Sequence, residues 1–253
     1  MGSHWMTKSN PVGWKCNLCP YAFVSAAMVY SNSNSFGFYR NRSVLQSLNL
    51  SQEDRALVLA SFDDLSKDPW YVVMGGNRFR RFKRFHLAVE GWQYLCDQSF
   101  QQSRAFNSVV GDIPRSFAPI AEDVLKTGIL EKLAHQQAMT LGLNLSDYHL
   151  AVHQFRVSIT GGFEGTSTPE GIHQDGHDFV CIVHWRSENI SGAVSRVYDE
   201  HKKKIFECPL RGMGETLYVN DRTHYHDVSP LACCDSSKPG MREVFVFDWN
   251  LKG

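Results

Sequence analysis

The sequence predicts a mainly β protein with α elements: a double-stranded β-helix, or cupin-like jelly roll, of about eight antiparallel strands beneath a helical layer from the N-terminal half. Three observations predict it. Apolar residues recur at helical spacing in the first half, the period switches to two from Tyr148 onward, and short β-branched runs then alternate with turn residues.

The elements follow in order. "SQEDRALVLASFDDL" begins at Ser51 with an acid, Asp54, three residues on; this capping pattern before Leu57, Leu59, Ala60 and Phe62 marks a helix start. From Pro119 onward, acids in a first turn and Ile120, Val124, Ile129, Leu130 and Leu133 at near-helical spacing predict a second helical stretch, which Gly128 can split. "YHLAVHQFRVSIT" (148–160) then alternates, with Phe155, Val157 and Ile159 on one face and Gln154, Arg156 and Ser158 on the other. "DFVCIVHW" reads as a strand buried on both sides. "AVSRVYD" and "KKIFECP" form a hairpin around residues 200–202, and "ETLYVND", "THYHDVS" and "MREVFVFDW" supply further strands, with the short "GIHQD" counted among them.

Composition sets the limits. With 43% hydrophobic and 21% charged residues in 253, the chain has enough apolar surface for a packed core, and one domain over 13–253 is the expectation. It divides into a helical layer at about 40–145 and a jelly-roll core at about 148–250, by their periodicities. Residues 1–12, opening Met1-Gly2-Ser3-His4, are set aside as an expression remnant and mobile N-terminus. Equal numbers of basic and acidic residues give no bulk attraction to nucleic acid or acidic membranes. The basic stretch "RFRRFKR" (78–84) is therefore assigned to the fold or to an active-site rim. The apolar run at 20–30 is too short to span a bilayer. Seven scattered cysteines fit a reducing cytoplasm, and Cys16-x-x-Cys19 lacks the second pair a structural zinc requires.

The chemistry concentrates in "GIHQDGHDF" (171–179). On extended chain, residues i and i+2 point the same way, so His173 and Asp175 can reach one ion; Gly176 then turns His177 and Asp178 away. A third ligand is available from "THYHDVSP", where His224 and His226 share a face. Two imidazoles and one carboxylate with one side open form the facial triad of non-haem Fe(II) oxygenases, whereas a structural zinc site is closed. Spacing does not choose between the two histidines.

The blocks "PEGIHQDGHDFVCIVHW", "ENISGAVSRVYD", "GETLYVNDRTHYHDVSPL" and "GMREVFVFDW" resemble the bacterial 2-oxoglutarate/Fe(II) dioxygenases that hydroxylate free L-amino acids, the isoleucine hydroxylase family. "LSKDPWYVVMGGNRFRRFKRF" and "FQQSRAFNSVVGDIPRSFAPI" extend the resemblance upstream, to most of residues 60–250. The family motif H-x-D-G falls on His173, Asp175 and Gly176, and its Y-H-x-V-[ST]-P block on Tyr225 to Pro230, which selects His226 as the third ligand. The resemblance puts Arg242 on the far carboxylate of 2-oxoglutarate, where a planar fork makes paired charge-assisted bonds. His224 then lines the pocket or supports a ligand. Gln154, Arg156, Trp185 and Phe247 are the remaining candidates for substrate contact. One departure, Ala193 after Gly192 where the family often has two glycines, touches the pocket edge and substrate size. Asp175 itself speaks against the halogenating variants, which replace that acid with a small residue.

The resemblance implies Fe(II), 2-oxoglutarate and O2 as cofactors, a small free amino acid or close derivative as substrate, and release of succinate and CO2 as an unactivated C–H is hydroxylated. Cyclisation or desaturation of an amino-acid-like substrate starts from the same hydrogen removal and stays open. So does a non-catalytic module binding a small carboxylate. An oxygenase acting on nucleic acid or protein through the basic stretch ranks below them.

Overall fold

The computed structural model describes residues 38–41 (as backbone), 48, 50–70, 77–95 and 99–253. The expectations for residues 1–12, for Cys16 and Cys19, and for the apolar run at 20–30 lie outside those residues.

A seven-stranded antiparallel sheet dominates, in the order β1 (Phe38–Asn41), β9 (Thr216–Asn220), β5 (Phe179–Glu188), β12 (Gly240–Leu251), β4 (Tyr148–Ile159), β2 (Arg78–Ala88) and β3 (Gly91–Tyr94). A three-stranded sheet pairs β10 (Tyr225–Val228), β7 (Val194–Tyr198) and β8 (Lys204–Pro209), and β11 (Leu231–Cys233) pairs with β6 (Ile190–Gly192). The described helices are α1 (Gln52–Ser61), α2 (Glu122–Lys126) and α3 (Ile129–Leu141), and a 3-10 turn lies at Leu145–Asp147. None of the described helices is long and apolar enough to cross a membrane.

Local signals act where the sequence puts them. Ser51 Oγ accepts from the Asp54 amide at 3.0 Å and so caps α1. Gly128, at φ +66, separates α2 from α3. The β7–β8 hairpin turns around 200–202.

The large sheet has two differently used faces. On one, Trp185, Phe245, Phe247 and Trp249 pack with Val58 of α1, Phe62 at its C-terminal cap, and Leu130 and Leu133 of α3. Such side chains each contribute roughly 1.5–3 kcal/mol on full burial. On the other, Val180, Ile182, Leu217 and Val244 meet Val197 of β7 and Cys208 of β8, so the small sheet lies over this face. That interior also holds a polar cavity.

Two expectations need correcting. The N-terminal half is more than a helical layer, because it also contributes β1, β2 and β3 to the large sheet. From Tyr148 onward nine strands form, against about eight expected, and the described residues hold twelve in all. "RFRRFKR" is the strand β2, whose basic residues obscure its alternation: Phe79 and Phe85 turn to the helices while Arg78 and Arg80 turn inward. "GIHQD" is not a strand; it makes one isolated bridge, His173 to His226.

Candidate metal centre

That bridge positions the site. His173 and His226 exchange backbone hydrogen bonds of 3.1 and 2.9 Å, which bring two imidazoles 53 residues apart to a ring separation of 4.5 Å. Asp175 stands between them: its Oδ1 is 3.6 Å from His173 Nε2 and its Oδ2 is 3.4 Å from His226 Nε2. One ligand atom from each of the three residues falls within 4.8 Å of the others, the one such group among the described residues. Donor atoms bonded at about 2.1 Å to a common ion sit roughly 3 Å or more apart, so this spacing fits one divalent cation with modest closure.

The surroundings prepare the donors. His173 Nδ1 lies 2.8 Å from the Gly171 carbonyl and can donate to it, which turns the Nε2 lone pair toward the cluster. Burial opposes charging either imidazole, yet the carboxylates prevail: His173 is raised by Asp175, and His226 is raised to about 10 by hydrogen bonds to Asp175 and Asp221. Asp175 is held well below the usual carboxylate range, burial being outweighed by the two imidazoles. A divalent cation would replace the protons that these three groups otherwise share.

Gly176, at φ +87, makes the turn after Asp175, and a Cβ there would lie 2.7 Å from the Phe106 ring. Beyond it His177 and Asp178 leave the cluster, as the sequence suggested. His177 pairs with Asp248 at 3.4 Å, and Asp178 bonds the Leu251 amide and Arg222.

Sequence reasoning missed three polar residues around the triad. Asp221, fully buried, accepts from the backbone amides of Asp175, Gly176 and His177 at 3.1, 2.7 and 3.0 Å and lies 3.2 Å from His226 Nε2. Gln102 donates to Asp175 Oδ1 at 3.0 Å and is itself held by Arg115 at 2.6 Å and Asn107 at 3.2 Å. Glu170 places Oε1 3.7 Å from His173 Nε2. Asp221 lay in plain sight at the end of "ETLYVND", but its partners are amides, which leave no pattern in side-chain sequence.

Arg242 lines the same cavity and is 3% exposed, with Nε and one terminal nitrogen lacking any hydrogen-bond partner. Burial, then the charge of Arg211, lowers it to about 10. The neighbouring acids on its strand are engaged elsewhere: Glu243 bonds Arg156 and Arg186, and Asp248 bonds His153.

The other candidate residues are placed elsewhere. Gln154 and Arg156 were expected on a possible interior face, but the alternation of β4 turns them to the helices: Gln154 donates to Ser61 at 2.7 Å, and Arg156 pairs with Glu243 and Asp63. Phe155 and Val157 take the cavity side. Trp185 and Phe247 are core residues under the helices. His224 stands outside both the ligand group and the cavity lining, with Thr223 Oγ1 2.8 Å from its Nδ1. Ala193 packs with Val157, Ile190 and Leu231 rather than at the cavity edge.

The family profile described as 2OG-Fe dioxygenase matches residues 59–248. The chain belongs to the 2OG-Fe dioxygenase family. As a member it is an enzyme whose cofactors are Fe(II), 2-oxoglutarate and O2. The 3(1)-hydroxy-L-isoleucine 4-dioxygenase of Pantoea ananatis (strain AJ13355) is similar, with 24% identity over 224 residues, 83% of this chain and 87% of the relative. Among solved structures, a bsmA homolog from Methylobium petroleophilum PM1 superposes with a TM-score of 0.73 at 23% identity, covering 86% of this chain and 89% of the other. IDO from Bacillus thuringiensis gives a TM-score of 0.68 at 16% identity over 86% and 92%. These likenesses show a shared family fold.

Proposed function

We propose that this dioxygenase hydroxylates an unactivated C–H of a free L-amino acid or close derivative, forming succinate and CO2, within a jelly-roll core. One observation carries the reading: a buried two-histidine, one-carboxylate cluster shares its cavity with Arg242, a buried guanidinium that has donors to spare. His173, Asp175 and His226 would hold the iron, and Arg242 the distal carboxylate of 2-oxoglutarate. The amino-acid substrate draws support from the relative named for acting on a hydroxy-isoleucine.

Iron and 2-oxoglutarate, when bound, would activate O2, the oxidant needed to break such a C–H bond. The chain's own residues do the rest. His173, oriented by the Gly171 carbonyl, and Asp175, oriented by Gln102, present their donors from one side. Asp221 fixes the turn that carries Asp175 by accepting from the amides of Asp175, Gly176 and His177. Arg242, sealed among Val180, Ile182 and Val244, offers paired hydrogen bonds where little water competes.

The test is anaerobic reconstitution with Fe(II) and 2-oxoglutarate, followed by O2 with a panel of free L-amino acids, reading succinate and product mass. Substrate-dependent succinate and a gain of one oxygen are expected. Loss of two hydrogens would make the enzyme a cyclase or desaturase, and no succinate with any amino acid would defeat the amino-acid reading.

A further inference from the structure

The inward cations of β2 have no part in the metal cluster. Arg78 and Arg80 are 4% and 6% exposed, and their Nε atoms stand 3.8 and 3.7 Å from Asp68. The Arg80 guanidinium lies 4.0 Å over the Phe155 ring and 4.4 Å over Phe117; that of Arg78 lies 4.9 Å over Phe155. Both line the cavity that holds the triad. Val157 pairs in register with Arg242 on one side and Arg78 on the other, so the two arginines sit two strands apart, about 10 Å between backbones. Besides Arg242, the cavity is therefore lined by Arg78 and Arg80, and by Arg115, which donates to Gln102.

An anion faces the same space. The Glu170 side chain is 9% exposed; its Oε1 lies beside His173, and its Oε2 is buried with no hydrogen-bond partner. It is not one of the atoms that gather within 4.8 Å, so it borders the ligand group without joining it. A buried carboxylate oxygen without a donor is costly, and a ligand that brings a donor relieves the cost.

We infer that the cavity contains a subsite for a zwitterionic α-amino acid, in which Glu170 takes the ammonium and the Arg78–Arg80 pair takes the carboxylate. The inference rests on the amino-acid reading above and gives that substrate its anchors. The stacked rings already fix the guanidinium planes, so little side-chain freedom is lost on binding. A site built this way rejects a ligand lacking either group, because its own polar atoms are then left unpaired.

The test is calorimetric titration of the anaerobic protein loaded with Fe(II) and 2-oxoglutarate. The ligands are the amino acid giving most succinate in the panel, its des-amino acid and its des-carboxy amine. Wild type is expected to bind the intact amino acid at least about tenfold more tightly than either analogue. Glu170→Gln should lose about tenfold or more for the amino acid and the amine while leaving the des-amino acid unchanged, and Arg80→Lys should show the reverse selectivity. Equal weakening of all three ligands by Glu170→Gln, or weakening of iron uptake alone, would overturn the inference and make Glu170 a support for His173. A wild type that takes up iron and 2-oxoglutarate but no free amino acid would overturn the reading beneath it instead. Should Arg80→Lys not fold, the Glu170→Gln arm decides by itself.

Discussion

One nonapeptide feeds two buried His–Asp–His clusters, and they are built for different occupants. In the first, His173 and His226 flank Asp175 with each Nε2 directed at its carboxylate. In the second, His153 and His177 flank Asp248 at 3.1 and 3.4 Å, and Asn250 Oδ1 lies 2.7 Å from His177 Nδ1. Residue types are identical; the protonation differs. The second cluster separates its imidazoles: His177 is raised to about 10 and His153 lowered to about 4, burial in each case coming first and the Asp248 charge reversing it only for His177. Asp248, held to about 2 against burial by the His177 charge, thus has an imidazolium as its counter-ion. In the first cluster both imidazoles are raised, His173 by Asp175 and His226 by Asp175 and Asp221, and Asp175 offers a separate oxygen to each Nε2. The lesson is that convergence of histidine and aspartate makes a candidate metal site only when one donor atom from each residue gathers with the others, as happens among the described residues in the first cluster alone.

The largest effect belongs to the first cluster. Asp175→Ala should bring succinate formation down to the background of the protein-free assay, measured with saturating Fe(II) and 2-oxoglutarate. Activity above that level would break the distinction between the clusters.

His177→Ala acts on the other cluster and should leave iron uptake intact while costing about 3–5 kcal/mol of stability, since it strips a buried carboxylate of its charged partner. Chemical denaturation measures the cost. Its pH dependence sharpens the point. Because the folded state raises His177 from 6.5 to about 10, the stabilisation is complete below about pH 6.5 and disappears as pH climbs through about 10. Unfolding midpoints of wild type and His177→Gln should therefore converge toward the alkaline end.

Asp221→Asn keeps the shape of the group but weakens its hold on the amides of Asp175, Gly176 and His177. Iron affinity should fall about 10–100-fold with the fold retained, as for other residues that orient ligands. An unchanged affinity would mean that the turn holds itself.

The smallest effect lies on the helix-facing side of the sheet. Gln154→Ala removes a bond to Ser61 and should cost about 1 kcal/mol of stability. The KM for both substrates should not move. A raised KM would return Gln154 to the cavity that the register denies it.

How much of this was legible in sequence follows from what each residue bonds. His173 and Asp175 were visible because an i, i+2 pair is a side-chain pattern. His226 needed the family motif, since neighbouring His224 satisfies the same spacing. Alternation on β4 gave two faces correctly but not which one met the helices, because Gln154 and Arg156 look no less suited to a cavity than Phe155 and Val157. Arg78 and Arg80 were assigned only to the fold or to an active-site rim, because their burial depends on Asp68 and on rings from distant segments. Glu170 was within a quoted motif, yet nothing local distinguishes a glutamate that faces a cavity from one that faces water.

The central claim is that His173, Asp175 and His226 converge on one iron while the second cluster holds none. Anaerobic Fe(II) titration of wild type, His226→Ala and His177→Ala, with bound metal counted after desalting, tests it most directly. About one iron per chain is expected in wild type and His177→Ala and none in His226→Ala. A full iron retained by His226→Ala would contradict the account.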